Sequence, residues 1–545
     1  MKHTMKHPYM AILVVMGAIL LGCETTEIPQ PENNIVVCTT TVSFATDGTK
    51  ALTEHGVKTF AEGEKIAVIY KNESNETLKA VSDPLPSGSY GNTASFTVAL
   101  VNPSSGAAVR IIYPAAMAAS TVATTTEVDD DATINYAALA TQDGTLSTLS
   151  STLDLAVYDG TLAGTVLPAN PALKNKLAIC KYTLKDDSGT NDITGTVSGL
   201  LVQNGTNSYY VSRTPDAGPI YVAIRPTASA TIKYTARTST VWQVKTVTDK
   251  TYEASEMYNL GLRMTALPED TLPGQFTIAD GKQVRFSKGN LQATYDASAQ
   301  TWTWGFAAHQ YDRIGNAPGN TTITTEVKEA TEPYARLSGN GTVDLFDWST
   351  AYTYYGISTS NDGTYTNNTS AVFVDWGGLS IGSSSPGDWY TPSWAKLEHM
   401  LFSRNASTIG STENARFLKV SSVVGMKGII IFPDDFTWDE GMMGTAPSCN
   451  NDGKNNGNGT FSADQWAAME AAGAVFLPST GYRKSSTYVD TSDSYYHYGC
   501  YWTNDVAKNS TGPGFLWFKY DNGTVGREYR YGDKSGVSVR LVRDL

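Results

Sequence analysis

Between residues 35 and 114 the chain lays down short β-branched runs at turn-spaced intervals and offers no long amphipathic helix, which leaves few architectures open. Residues 35–44 (IVVCTTTVSF) alternate in part and read as a strand. Asp47-Gly48-Thr49 turns the chain, and Glu62-Gly63 leads into a second apolar strand that ends at Tyr70. Further strands follow at 94–100 and 108–113, the last halted by Pro114. Short strands in this order predict antiparallel β-sandwiches.

Ahead of the first strand, Lys2 and Lys6 precede an uncharged run from Tyr9 to Gly22 that closes on Leu20-Leu21-Gly22-Cys23. That run is short of the ~20 apolar residues that a spanning helix needs. The layout is an export signal ending in small residues before a cysteine, and it resembles the lipobox of bacterial lipoproteins. The resemblance implies removal of residues 1–22 and lipidation of Cys23. Two or more acyl chains hold a protein stably at a membrane. Residues 23–34, with Pro29 and Pro31 and no apolar period, are expected to form a tether. The expected location is the cell outer membrane, lipid-anchored and surface-exposed, or a fimbrium.

A chain of 545 residues is too long for one core. Its formal charge of -13 becomes more negative once Lys2 and Lys6 are removed, which argues against nucleic acid as a partner. With Cys23 lipidated, Cys38, Cys180, Cys449 and Cys500 remain. They form either disulfides, with the pairing left open, or buried free thiols. No CxxC occurs and the six histidines are scattered, so no zinc site is read.

Residues 49–53 (TKALT), 60–70 (FAEGEKIAVIY) and 110–114 (RIIYP), in this order after a lipobox, are similar to the fimbrillin family, the subunits of lipoprotein-derived pili. Residues 176–184 (KLAICKYTL) would open a second sandwich, and 252–264 (YEASEMYNLGLRM) looks like that family's final strand. The resemblance implies two transthyretin-like sandwiches, 35–168 and 169–267. It also implies assembly with other pilus subunits by strand addition. In polymerising relatives a protease cuts after an arginine near the end of the first strand. Here the matching position is Lys50, and no arginine precedes Arg110. Lys50 is therefore a processing candidate set against a solvated turn lysine.

Residues 268–274, with Pro268, Pro273 and Gly274, read as a linker. Beyond it the composition shifts: ten of the eleven tryptophans follow Gln275, and Trp242 alone precedes it. Two helices are expected. One is capped at Thr391-Pro392 and carries Trp394, Leu397 and Leu401 on one face; the other opens with a capping box at Ser462–Gln465 and ends at Gly473. With strands around them they predict an α+β domain over 275–545. Residues 283–292 (QVRFSKGNLQ), 388–404 (DWYTPSWAKLEHMLFSR), 474–483 (AVFLPSTGYR), 501–505 (YWTND) and 536–542 (GVSVRLV) resemble major-paralogous-domain repeats of surface lipoproteins, which are similar to C-type-lectin-like folds. That resemblance implies a binding head without naming its ligand.

Residues 502–505 are similar to the Trp-Asn-Asp of calcium-dependent lectins, with a threonine inserted and no Glu-Pro-Asn partner. Asn504 and Asp505 are thus candidate calcium ligands set against a structural loop, and no other cofactor is expected. Tyr498, Tyr501 and Tyr529 are candidates for stacking on a ligand. Asp434, Asp435, Asp439 and Glu440 could supply paired carboxylates, but neighbours in sequence seldom face each other across a cleft, so a solvated loop is the alternative. The expectation is a non-enzymatic surface lipoprotein, a pilus tip or accessory subunit and adhesin whose partner is a surface glycan or protein. The alternative is a glycan-binding lipoprotein of a nutrient-uptake system.

Overall fold

The computed structural model describes residues 34–45, 59–205, 207–321, 325–329, 332–337, 339–350, 355–357, 372–449, 459–484, 487–490, 498–506, 513–519, 525–528 and 535–545. Cys23, most of the tether, Lys50, Tyr529 and the 450–458 segment lie outside the described residues. The chain is mainly β, as its strand pattern predicted.

The first sheet has seven strands in the order Thr77–Val81, Ala67–Lys71, Ala108–Tyr113, Ala156–Thr161, Ala172–Asn175, Ile35–Phe44 and Thr93–Val101. Ile35–Phe44 is antiparallel to Thr93–Val101 at nine paired positions and parallel to Ala172–Asn175 at two. Its alternation sorts cleanly: Cys38, Thr40, Val42 and Phe44 are buried, while Thr39 and Thr41 meet the hydroxyls of Thr97 and Ser95 on the outside. In contrast, Ala67-Val68-Ile69-Tyr70 is buried without interruption. Val68 and Tyr70 pack with Phe44, Phe60, Phe96 and Tyr113, whereas Ala67 and Ile69 join the next core. Continuous burial is the mark of a strand covered on both faces.

That next core lies between a six-stranded sheet, centred on Gly199–Asn204 and Thr227–Arg237, and a three-stranded one. The three-stranded sheet has Ala178–Lys185 at its middle, with Met257–Arg263 parallel to it over seven positions. Residues 115–155 give Met117, Val128, Ile134, Leu139, Leu149 and Leu153 to this core. The chain then returns to the first sheet with Ala156–Thr161 and Ala172–Asn175 before Ala178–Lys185 begins. One sheet therefore walls both cores.

Residues 268–274 lie against the C-terminal part. Leu272 is buried and its N–H donates to the Phe286 carbonyl, and Lys288 pairs with Asp270 at 2.7 Å. The sheets that follow are short and irregular, which leaves many carbonyls without a ladder partner. Tryptophan answers this by filling volume while its N–H donates. Trp348 donates to Thr503 O, Trp376 to Tyr355 O, Trp438 to Gly444 O and Trp502 to Phe346 O, at 2.6–3.0 Å. The tryptophan-rich composition is thus the signature of a core built from loops.

Both expected helices are present. Ala463–Ala471 begins with the reciprocal Ser462/Gln465 box. Trp394–Glu398 is capped by Ser393, whose hydroxyl accepts from Lys396 N–H, and not by Thr391. Thr391 instead donates through its N–H and hydroxyl to the Asp375 carboxylate, which draws it away from the helix end. The helix continues into a wider turn over His399–Ser403.

Candidate functional site

One concentration of polar and charged side chains lies at the seam where the six-stranded sheet meets the Ala463–Ala471 helix. Ala140, Leu201, Tyr210, Trp242 and Leu267 share one core with Phe436, Met442, Met443, Trp466, Ala468 and Met469. Apolar contact of this kind fixes two bodies together. Above it, Arg237 donates to the carboxylate of Glu470, which is almost fully buried and also accepts from Gln310 Nε2 at 2.9 Å. Gln310 Oε1 in turn accepts from Phe476 N–H and Arg540 Nη2, both at 2.8 Å. Burial lowers the pKa of the Arg540 guanidinium to about 10, with Tyr501 and Glu470 opposing that shift.

The acidic group read at 434–440 is spent on structure. Asp434 accepts from Arg404 Nη1 at 2.7 Å, Thr277 Oγ1 at 2.6 Å and Gln283 Nε2 at 2.9 Å. Asp435 pairs with Lys233 across the seam, and Asp439 Oδ2 accepts from Ser208 N–H there at 3.2 Å. Glu440 accepts from Ala446 N–H. Each of these carboxylates is held by hydrogen bonds or an ion pair within the fold.

Two clefts flank this seam. One, of about 560 Å³, has Gln203, Lys233, Thr246, Gln275, Arg285 and Asp435 among its walls. The other, of about 660 Å³, includes Asp143, Tyr210, Asp464 and Gln465. Neither was legible in the sequence, because each is made from elements more than two hundred residues apart.

The residues singled out from the sequence lie elsewhere. Tyr501 is buried; its hydroxyl donates to Pro478 O at 2.8 Å and accepts from Asn290 Nδ2 at 3.3 Å. It cannot stack on a ligand from outside. Tyr498 opens the Tyr498–Val506 strand. Asp505 Oδ1 accepts from Trp394 N–H at 3.1 Å, Asn504 N–H donates to Pro392 O, and Thr503 Oγ1 donates to Gly514 O at 2.7 Å. Among the described residues no group of three or more His, Cys, Asp or Glu side chains could hold a metal. Cys38, Cys180, Cys449 and Cys500 are buried thiols, each in a different core, so no disulfide joins any two of them.

No family model matches this chain, and no curated protein does. Among solved structures, it is similar to a fimbrial assembly protein from Parabacteroides distasonis, with 10% identity, 50% of this chain and 99% of that one covered, and a TM-score of 0.26. A candidate cell adhesion protein from Bacteroides ovatus matches at 11% identity over 44% of this chain and 97% of its own, with a TM-score of 0.26. Candidate polysaccharide-binding proteins from Bacteroides thetaiotaomicron match at 11% identity over 37% and 76%, with a TM-score of 0.23. At such identities no residue role transfers, and function has to be argued from this chain's own residues.

Proposed function

We propose that this chain is a non-enzymatic surface lipoprotein, anchored through Cys23 at the outer membrane, that serves as a tip or accessory subunit of a pilus and as an adhesin. In this reading, residues 35–267 form two transthyretin-like sandwiches, and the boundary expected at 168/169 gives way to an exchange in which 115–155 serve the second core and 172–175 the first sheet, while 275–545 is a C-type-lectin-like head. The observation that carries it is the closed end of the second unit. Met257–Arg263 is paired along its whole length, and the chain passes from Thr265–Ala266 directly into the packed 268–274 segment. A subunit that donates its terminal strand must free one, and this strand is held. Acceptance asks less: the first strand is fully paired on one side only.

Coexpression with a polymerising subunit, followed by immunogold labelling of sheared fibres with antibody to the head, tests this. Gold at fibre ends is the expected result. Label along the shaft, or homopolymers of the purified chain after proteolysis, would sink the reading. The polar clefts favour a second one, glycan capture for a nutrient-uptake system, which predicts sugar binding with no fibre association at all.

A further inference from the structure

The seam cleft of about 560 Å³ contains an unusual cation. Arg285 is 7% exposed and lies on the Lys282–Phe286 strand, whose neighbours Val284 and Phe286 belong to the core on the opposite face. Its guanidinium donates through Nη1 to the Pro273 carbonyl and has no carboxylate at ion-pair distance among the described residues. A guanidinium carries five donors in a planar fork suited to a carboxylate. Burial lowers the Arg285 pKa to about 10 while Asp435 nearby opposes that shift, so the group is charged at neutral pH. With the Pro273 carbonyl as its one partner among the described residues and its other donors not shut away from solvent, this charged guanidinium is open to an acceptor that enters the cleft.

The facing wall is polar by register. Gln203, Lys233 and Thr246 stand side by side across three adjacent strands, and Thr265 follows one row on, paired with Val244. Directly paired residues share a face of the sheet, so this row presents an amide, an ammonium and a hydroxyl together. The volume lies in the range of small-ligand sites, which are commonly apolar. Here Gln203, Thr246 and Gln275 stand among Val244, Pro273 and Ala472, which suits a ligand that carries hydroxyls around an apolar ring face.

We propose that this cleft binds a carboxylated saccharide of one or two residues, its carboxylate on Arg285 and on the Lys233 donors left over by the ion pair with Asp435, and its hydroxyls on the Gln203–Thr246 row. The inference rests on the ligand-binding half of the proposed function and not on assembly, so fibre association and this binding can fail separately.

Titration calorimetry of the full chain with digalacturonic acid tests it, with cellobiose as neutral sugar and sodium sulfate as plain anion at matched ionic strength. Digalacturonate should bind and cellobiose should not. Arg285→Gln should weaken binding about tenfold or more, the range of a charged hydrogen bond. Because Arg285→Gln could also disturb folding, Lys233→Gln is the second variant, at a half-exposed site. It should weaken binding, and because the ion pair it removes with Asp435 is largely exposed and contributes little, the melting profile should shift hardly at all. Absence of digalacturonate binding, equal affinity in Lys233→Gln, or displacement by an equal concentration of sulfate would overturn the proposal.

Discussion

Arg237, the last residue of the Thr227–Arg237 strand, and Glu470, the next to last of the Ala463–Ala471 helix, form an ion pair that ties the six-stranded sheet to the C-terminal part. The two partners differ in setting. Glu470 is almost wholly buried, while the Arg237 side chain is 37% exposed and lies with its guanidinium 5.3 Å from the centre of the Trp242 ring. Replacing Glu470 with alanine removes the partner of Arg237 and leaves Gln310 Nε2 only its longer bond to the Ala474 carbonyl at 3.4 Å. The expected cost is about 1–3 kcal/mol, discounted for the solvent that reaches Arg237. Differential scanning calorimetry should show the parent melting as one transition and the variant as two, since the pair couples the two bodies. An unsplit, unshifted transition would place the coupling wholly in the apolar contact beneath.

A close approach of backbones lies beside the same seam. A Cβ on Gly274 would come 2.1 Å from the Gly473 carbonyl oxygen, and Gly473 itself holds a φ of +95°. Backbone cannot yield as a flexible side chain can, so Gly274→Ala should cost more than ~2 kcal/mol. Gly305→Ala, where a Cβ meets nothing within 4 Å, should stay within ~0.5 kcal/mol. Chemical denaturation of both variants checks the contrast.

Removing the Tyr501 hydroxyl separates structure from binding. Tyr501→Phe leaves the Pro478 carbonyl and the Asn290 amide each short of a partner in a buried setting. A loss of about 1–2 kcal/mol is expected, with binding to any surface ligand unchanged. A ligand-affinity change without a stability change would instead return Tyr501 to the binding surface.

The buried thiols give a pH signature. Burial raises the pKa of Cys180 and of Cys449 from the usual 9.0 to about 12. For a thiol a raised value means that the neutral form is favoured in the folded state. Reactivity should therefore stay low as pH climbs through 9.0 and rise only toward 12. In native protein Cys38, Cys180, Cys449 and Cys500 should displace almost no thiolate from a disulfide reagent, and in guanidinium each should form a mixed disulfide and displace one reagent thiolate. Rapid labelling under native conditions would contradict their burial in four separate cores.

Much of the fold is legible because local periodicity carries it. The alternation from Cys38 to Phe44 and the Ser462/Gln465 box are written in adjacent residues, and both form as read. Thr391 was misleading because Asp375, sixteen residues away, competes for it, and Ser393 takes the cap. The candidate site was hidden for a stronger reason. Arg285 reads as one of two cations in the short strand KQVRF, and only the return of Gln203 and Lys233 on a distant sheet makes a cleft of it. Tyr501 reads as a stacking candidate in the sequence yet is core, as Trp502 is, since irregular sheets need large side chains with a donor at the tip.

The strand Ala67–Lys71, with Val68 and Tyr70 in one core and Ala67 and Ile69 in the other, bears on how such a chain can change over generations. A crossover between relatives that exchanged one sandwich alone would pair one half of this strand's side chains with a stranger's interior. Recombination is then viable only when both sandwiches travel together, whereas exposed loops on either can drift one substitution at a time. Mosaic relatives should accordingly show breakpoints outside the shared wall, and paired substitutions within it.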